Sequence, residues 1–120
     1  MEWKRPSAEL GGVLARAIAG FDCQKRIMFG ASVYTVNGNM FAGVHGDNIF
    51  LRLAGADREA IAAAHAGVAP FEPVKGRVMS EYVTVPSSLY RDAAALHQWL
   101  ERSYEYVGTL ATKKPKPRSR

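Results

Sequence analysis

Two tight turns in quick succession constrain this chain more than any other feature. Asn37-Gly38 is the strongest short signal for a β-hairpin, because both residues tolerate positive φ. Gly46-Asp47 reads as a second tight turn. Residues 31–36 (Ala-Ser-Val-Tyr-Thr-Val) precede the first turn and are rich in strand formers. Residues 40–45 lie between the turns and residues 48–53 follow the second. The spacing predicts a three-stranded antiparallel meander.

Two-residue loops at both turns would fix the register. Val36 would face Asn39, Tyr34 would face Phe41, His45 would face Asn48, Gly43 would face Phe50 and Phe41 would face Arg52. Strand alternation then sorts the side chains into two sets. Ala31, Val33, Thr35, Met40, Ala42, Val44, Ile49, Leu51 and Leu53 form a small, aliphatic face suited to packing under helices. Ser32, Tyr34, Val36, Phe41, Gly43, His45, Asn48, Phe50 and Arg52 form the other. Within that second set, Tyr34, Phe41, His45, Phe50 and Arg52 stand out, because large aromatics and Arg are enriched at interface centres. They are the expected interaction face, meeting a second copy of the chain or another protein. The competing reading is that the same chain covers them.

Helical patterns flank the meander. Leu10, Val13, Leu14, Ala17 and Ile18 repeat at helical spacing over residues 7–19, with Ser7 as N-cap and Gly20 as stop. A second helix is expected over residues 57–65, capped by Asp57, ended by Gly67 and carrying a thin stripe of Ala60, Ile61 and Ala64. Pro70-Phe71-Glu72-Pro73 reads as a loop or edge strand, since proline cannot donate to a ladder. Lys75-Gly76 reads as a turn, and residues 77–85 as a last strand whose buried face is ambiguous. A third helix is expected from Ser87 or Ser88 to about Val107, with Leu89, Ala93, Leu96, Leu100, Ser103 and Val107 facing inward and Gly108 closing it. The expected fold class is α+β, an antiparallel sheet with helices.

The net charge of +5 has one source. Lys113, Lys114, Lys116, Arg118 and Arg120 crowd into the last eight residues, with no acid among them. Taking those five from the sixteen Lys and Arg leaves eleven, equal to the eleven Asp and Glu. The pI of about 9.6 therefore belongs to that segment. One domain over residues 1–108 is expected, followed by a disordered basic tail over 109–120. The tail reads either as a solubilising end or as a loose contact for nucleic acid. The start of the chain lacks the apolar run of a signal peptide, so a cytoplasmic protein without a membrane contact is expected.

Catalytic and ligand signatures are sparse. Ser32 falls inside a strand, not on a nucleophile elbow. Cys23, the single cysteine, lies beside Lys25 and Arg26, whose charge would lower its pKa if they approach it. His45, His65 and His97 are dispersed, and no phosphate-cradling loop is present. Glu81 is a lone carboxylate. No catalytic residue, cofactor site or metal site is assigned, and a non-enzymatic module is expected.

The order of six segments resembles a known family. Met28-Phe29-Gly30, Val33-Tyr34, Asn37-Gly38-Asn39-Met40-Phe41, Ile49-Phe50-Leu51-Arg52, Pro70-Phe71 and Tyr82-Val83-Thr84-Val85-Pro86 together resemble the N-terminal domain of the TfoX/Sxy family over about residues 9–108. Those proteins are associated with regulation of bacterial competence and DNA uptake. The resemblance implies the order α-β-β-β-α-β-β-α, a regulatory or protein-interaction role, and no catalytic residues. The chain departs from the family run after Gly30, where Ala31 and Ser32 stand in place of glycine. It looks like a stand-alone N-terminal module, for which a homodimer is the expected assembly.

Overall fold

The computed structural model describes residues 8–28 and 31–110. Ser7 and the basic residues 113–120 lie outside the described residues, as do Phe29 and Gly30 of the first family segment. Six strands form one antiparallel sheet, β1 (Gln24–Met28), β2 (Ala31–Val36), β3 (Asn39–His45), β4 (Asn48–Arg52), β5 (Ala69–Pro70) and β6 (Tyr82–Val85). Their spatial order is β1-β2-β3-β4-β6-β5. Four helices accompany them: α1 (Ala8–Ile18), α2 (Gly55–Ala64), α3 (Ser87–Tyr90) and α4 (Ala93–Gly108). The architecture is α+β and matches the expected element order, with one strand and one short helix added.

Every helix contributes to one face of the sheet. Leu10, Leu14, Ile18, Ile61, Leu89, Leu96, Leu100 and Val107 pack with Ala42, Val44, Ile49, Leu51, Val83 and Val85 in the main core. A second, smaller cluster of Val33, Phe50, Phe71 and Tyr82 lies apart, with Met28, Met40 and Met79 against it. No helical residue belongs to that cluster. The sheet therefore has a helix-covered face and, among the described residues, a helix-free one.

Both tight turns form where the sequence places them. Asn37 and Gly38 take φ of 54° and 77°, the doubly positive pair that a two-residue hairpin loop of this kind requires, and Gly46 takes 57°. Val36 pairs with Asn39, and His45 with Asn48. Between these points the register slips. Thr35 pairs with Met40 but Tyr34 pairs with Ala42, so Phe41 is an extra, bulged residue on β3. The bulge has partners on both sides of the sheet. The buried Ser103 hydroxyl of α4 donates to the Phe41 carbonyl at 2.8 Å. From the helix-free side, the Tyr82 hydroxyl donates to the Met40 carbonyl at 3.2 Å.

The helices differ from expectation at their ends. Asp92 interrupts the expected third helix. Its carboxylate accepts from the Ala95 backbone N–H at 3.1 Å and so caps α4, leaving α3 as a separate turn. Asp57 does not cap α2; Ala54 occupies that position, and Asp57 instead pairs with Arg102 of α4 at 2.8 Å. Only Ile61 of the α2 stripe is buried. The last strand is short, because Glu81 just before it takes a φ of 73°. Residues 71–81 form a flap instead, with its turn at Gly76 (φ 85°) and a bridge between Val74 and Arg77.

Candidate functional site

The bulge at Phe41 divides the five residues expected to share an interaction face. Slipping β2 by one residue against β3 turns Tyr34 toward the helices and Val33 away from them. Phe41 joins Tyr34 in the main core, its ring 5.4 Å from Tyr104 and 6.3 Å from Phe21. Phe50, across the ladder from Gly43, lies in the helix-free cluster instead. There Phe71 of the flap stacks on it at 4.4 Å and meets the His45 ring edge-on at 5.4 Å. Tyr34, Phe41, His45 and Phe50 are all buried within the chain. Of the five, only Arg52 is partly exposed. A shared aromatic face is thus corrected: the two rings from the first hairpin are core, and the others are capped by the flap.

What the helix-free face presents is a groove of about 730 Å³. It runs from β1, where Arg26 and Met28 line it, past Val33, Thr35 and Met40, to Arg52, Met79 and Tyr82. Its wall at β1 is the outer strand of the sheet, whose neighbour among the described strands is β2. Gln24 through Ile27 are exposed, Ile27 to 65%. The opposite edge differs: β5 has two residues, and one is Pro70, which has no N–H to offer. Thr35, beneath the groove, is 5% exposed, and its hydroxyl oxygen is buried with no hydrogen-bond partner.

At the β4 end of the groove, Arg52 is held from two directions. Its Nε donates to Glu81 Oε1 at 2.8 Å, and its guanidinium lies 5.6 Å from the centre of the Tyr82 ring. The second Glu81 oxygen accepts from the Tyr106 hydroxyl of α4 at 2.9 Å. The hydrogen bond from Arg52 holds the Glu81 carboxyl below the usual carboxylate range despite some burial. The same carboxylate pushes the Tyr106 phenol up, and burial pushes Tyr82 up. A carboxylate with both oxygens engaged and its proton affinity lowered is a weak base near neutral pH. The cluster is built to clamp β4, β6 and α4 together, and a left-handed backbone at Glu81 is the strain it carries.

The other singled-out residues do not converge. Cys23 is partly buried, and burial followed by the Asp22 charge raises its thiol pKa, opposite to the effect expected from Lys25 and Arg26. His65 accepts a hydrogen bond from the Trp99 indole at 3.3 Å, while His97 lies beside Glu101. Among the described residues, no three His, Cys, Asp or Glu side chains gather at metal-binding distance. No helix there is long and apolar enough to cross a membrane. Two contributors to the groove carry no signal in the sequence, strand β1, whose exposed residues show no alternation, and Met79 of the flap, while Val33, Thr35 and Met40, expected to pack under the helices, line the groove instead.

A family model described as the TfoX N-terminal domain matches residues 18–107. No curated protein matches the chain.

Proposed function

The chain belongs to the TfoX N-terminal domain family, and from that premise we propose that it is a non-enzymatic regulatory module acting through a protein partner bound on the helix-free face of its sheet. One observation carries the proposal: among the described residues all the helices pack on one side, while the other side offers a groove flanked by an exposed edge strand. Exposed edges are ordinarily shortened, covered or charged. Both edges are guarded in this way: β5 is shortened and proline-bearing, and β1 carries the charges of Lys25 and Arg26, which oppose pairing with a like-charged strand but not contact with an acidic partner. The clamped Glu81 carboxylate and the raised thiol pKa of Cys23 fit the non-enzymatic part of this reading.

The test compares capture of host proteins by the full chain and by two variants. Arg26→Glu combined with Ile27→Ser alters the β1 side, and Gln98→Ala alters the exposed surface of α4. Loss of one defined partner from the first variant alone supports the reading. A partner retained by both, or lost equally from both, overturns it.

A homodimer is one way of using the same edge, and salt distinguishes it. A two-fold antiparallel pairing of β1 with itself brings Lys25 and Arg26 close to the same cations of the second copy. Such a dimer would tighten as salt screens the repulsion, which sedimentation velocity at two ionic strengths measures.

A further inference from the structure

We propose that the groove on the helix-free face takes an extended peptide segment of the pattern acid–x–apolar–x–acid, crossing the strands from β1 to β4. The inference rests on the protein-interaction reading above and specifies the partner's chemistry.

The groove has a cation at each end and an apolar floor between them. Arg26 lies on β1 and Arg52 on β4, while Val33, Met40 and Met79 supply the apolar lining. Among the described residues no Asp or Glu lines it, although Glu81 is ion-paired to Arg52. The register puts Arg26 level with Phe50, through Val33 and Gly43, and Arg52 lies two residues further along β4, so three interstrand steps and that offset separate the two arginines by about 16 Å. An extended chain covers about 14 Å in four residue steps, which returns its first and fifth side chains to the same side, and the long arginine side chains span the remainder. Carboxylates at those two positions meet the two guanidiniums, and the third side chain points at the floor. Arg52 is preorganised for this role. Glu81 engages its Nε, which leaves the terminal amino groups as donors for a second carboxylate.

Two further features fit a bound chain. The buried Thr35 hydroxyl has no hydrogen-bond partner, a costly state that a peptide backbone group in the groove would relieve. Its cross-strand neighbours are Met40 and Gln24, both with flexible side chains. A nucleic-acid strand is the poorer fit. Its sequence-tolerant binding uses exposed aromatic platforms, and the aromatic rings of this face, Phe50, Phe71 and Tyr82, are buried against one another.

The test is fluorescence anisotropy with the full chain and a labelled, end-blocked peptide containing Glu-Ser-Leu-Ser-Glu. Saturable binding is expected. Replacing both peptide Glu by Gln, or the Leu by Ser, is expected to weaken it by about tenfold or more. Arg26→Glu should cost at least as much, and Arg26→Lys much less. Arg26 is exposed, so its variants are expected to stay folded, which circular dichroism checks. Binding that survives Arg26→Glu, as contact with the cations at 113–120 would, overturns the proposal. So does a short single-stranded oligonucleotide that binds the same site more tightly, or a peptide that fails to saturate. If the peptide fails while the β1 variant still loses its partner, the sequence pattern is wrong and the interaction face stands. If both fail, the interaction reading falls with it.

Discussion

The two faces of this sheet are built to different standards. On the helix-covered face, side chains from all four helices close over Ala42, Val44, Ile49 and Leu51, and each of these strand residues is fully buried. On the other face, among the described residues, only the flap provides cover, and only over part of the sheet. Phe71 stacks on Phe50 and abuts His45, while the side toward β1 keeps a groove. The difference teaches where the fold's stability resides. The helix-covered face and the Phe71–Phe50 cap hold the molecule together, and the β1 side of the helix-free face is left open.

The largest expected effect tests that contrast directly. Phe41→Glu puts a charge under α4 with no partner, and a loss of about 4 kcal/mol or more is expected, enough to unfold a domain of this size. Ile27→Glu, on the exposed β1, should change stability by no more than about 0.5 kcal/mol. Urea unfolding of the two variants measures both. A tolerated Phe41→Glu would mean that the ring is not under the helices, and the division of faces would fail.

Two smaller effects probe the devices that hold the faces in register. A Cβ on Gly43 would lie 2.5 Å from the Phe50 ring and 2.9 Å from Val33, so Gly43→Ala should cost about 1–3 kcal/mol through overpacking. Ser103→Ala removes the donor that satisfies the bulge carbonyl of Phe41, and a similar cost of about 1–3 kcal/mol is expected. Thermal unfolding followed by circular dichroism resolves both. A neutral Ser103→Ala would show that the bulge does not depend on α4.

These devices also explain which parts were legible in the sequence. The β3–β4 half was readable, because the Gly46 turn sets an uninterrupted ladder and Ile49, Leu51 and Leu53 alternate cleanly into the core. The β2 half was inverted by a single inserted residue. Met40-Phe41-Ala42 is apolar throughout, so its pattern carries no mark of which residue is extra. The one trace lies elsewhere in the chain: Ser103 sits among the apolar residues of the α4 stripe, and a hydroxyl there needs an acceptor. Strand β1 was hidden because Gln24, Lys25 and Arg26 are exposed and show no buried alternation. The interaction face drawn from sequence inherited the same slip, which placed Tyr34 and Phe41 beside Phe50 when they lie on the opposite side of the sheet.

The smallest expected effect concerns Glu81, which joins the two faces. Its carboxylate takes Arg52 from β4 and Tyr106 from α4, and its left-handed backbone costs about 1–3 kcal/mol that the surrounding contacts must offset. The hydrogen bond from Arg52 lowers the folded carboxyl pKa below its unfolded value. Its contribution is therefore present above the ordinary carboxylate range and is lost as pH falls through the lowered value. Because the pair is partly exposed, Glu81→Gln should cost only about 0.5–1 kcal/mol near neutral pH. The distinguishing measurement is melting temperature against pH. Wild type and variant should converge on the acid side, since protonation leaves the native residue as uncharged as its replacement. A gap that stays constant down to acid would assign the cost to shape and hydrogen-bond geometry, and the charge on Glu81 would then contribute nothing to holding α4 against the sheet.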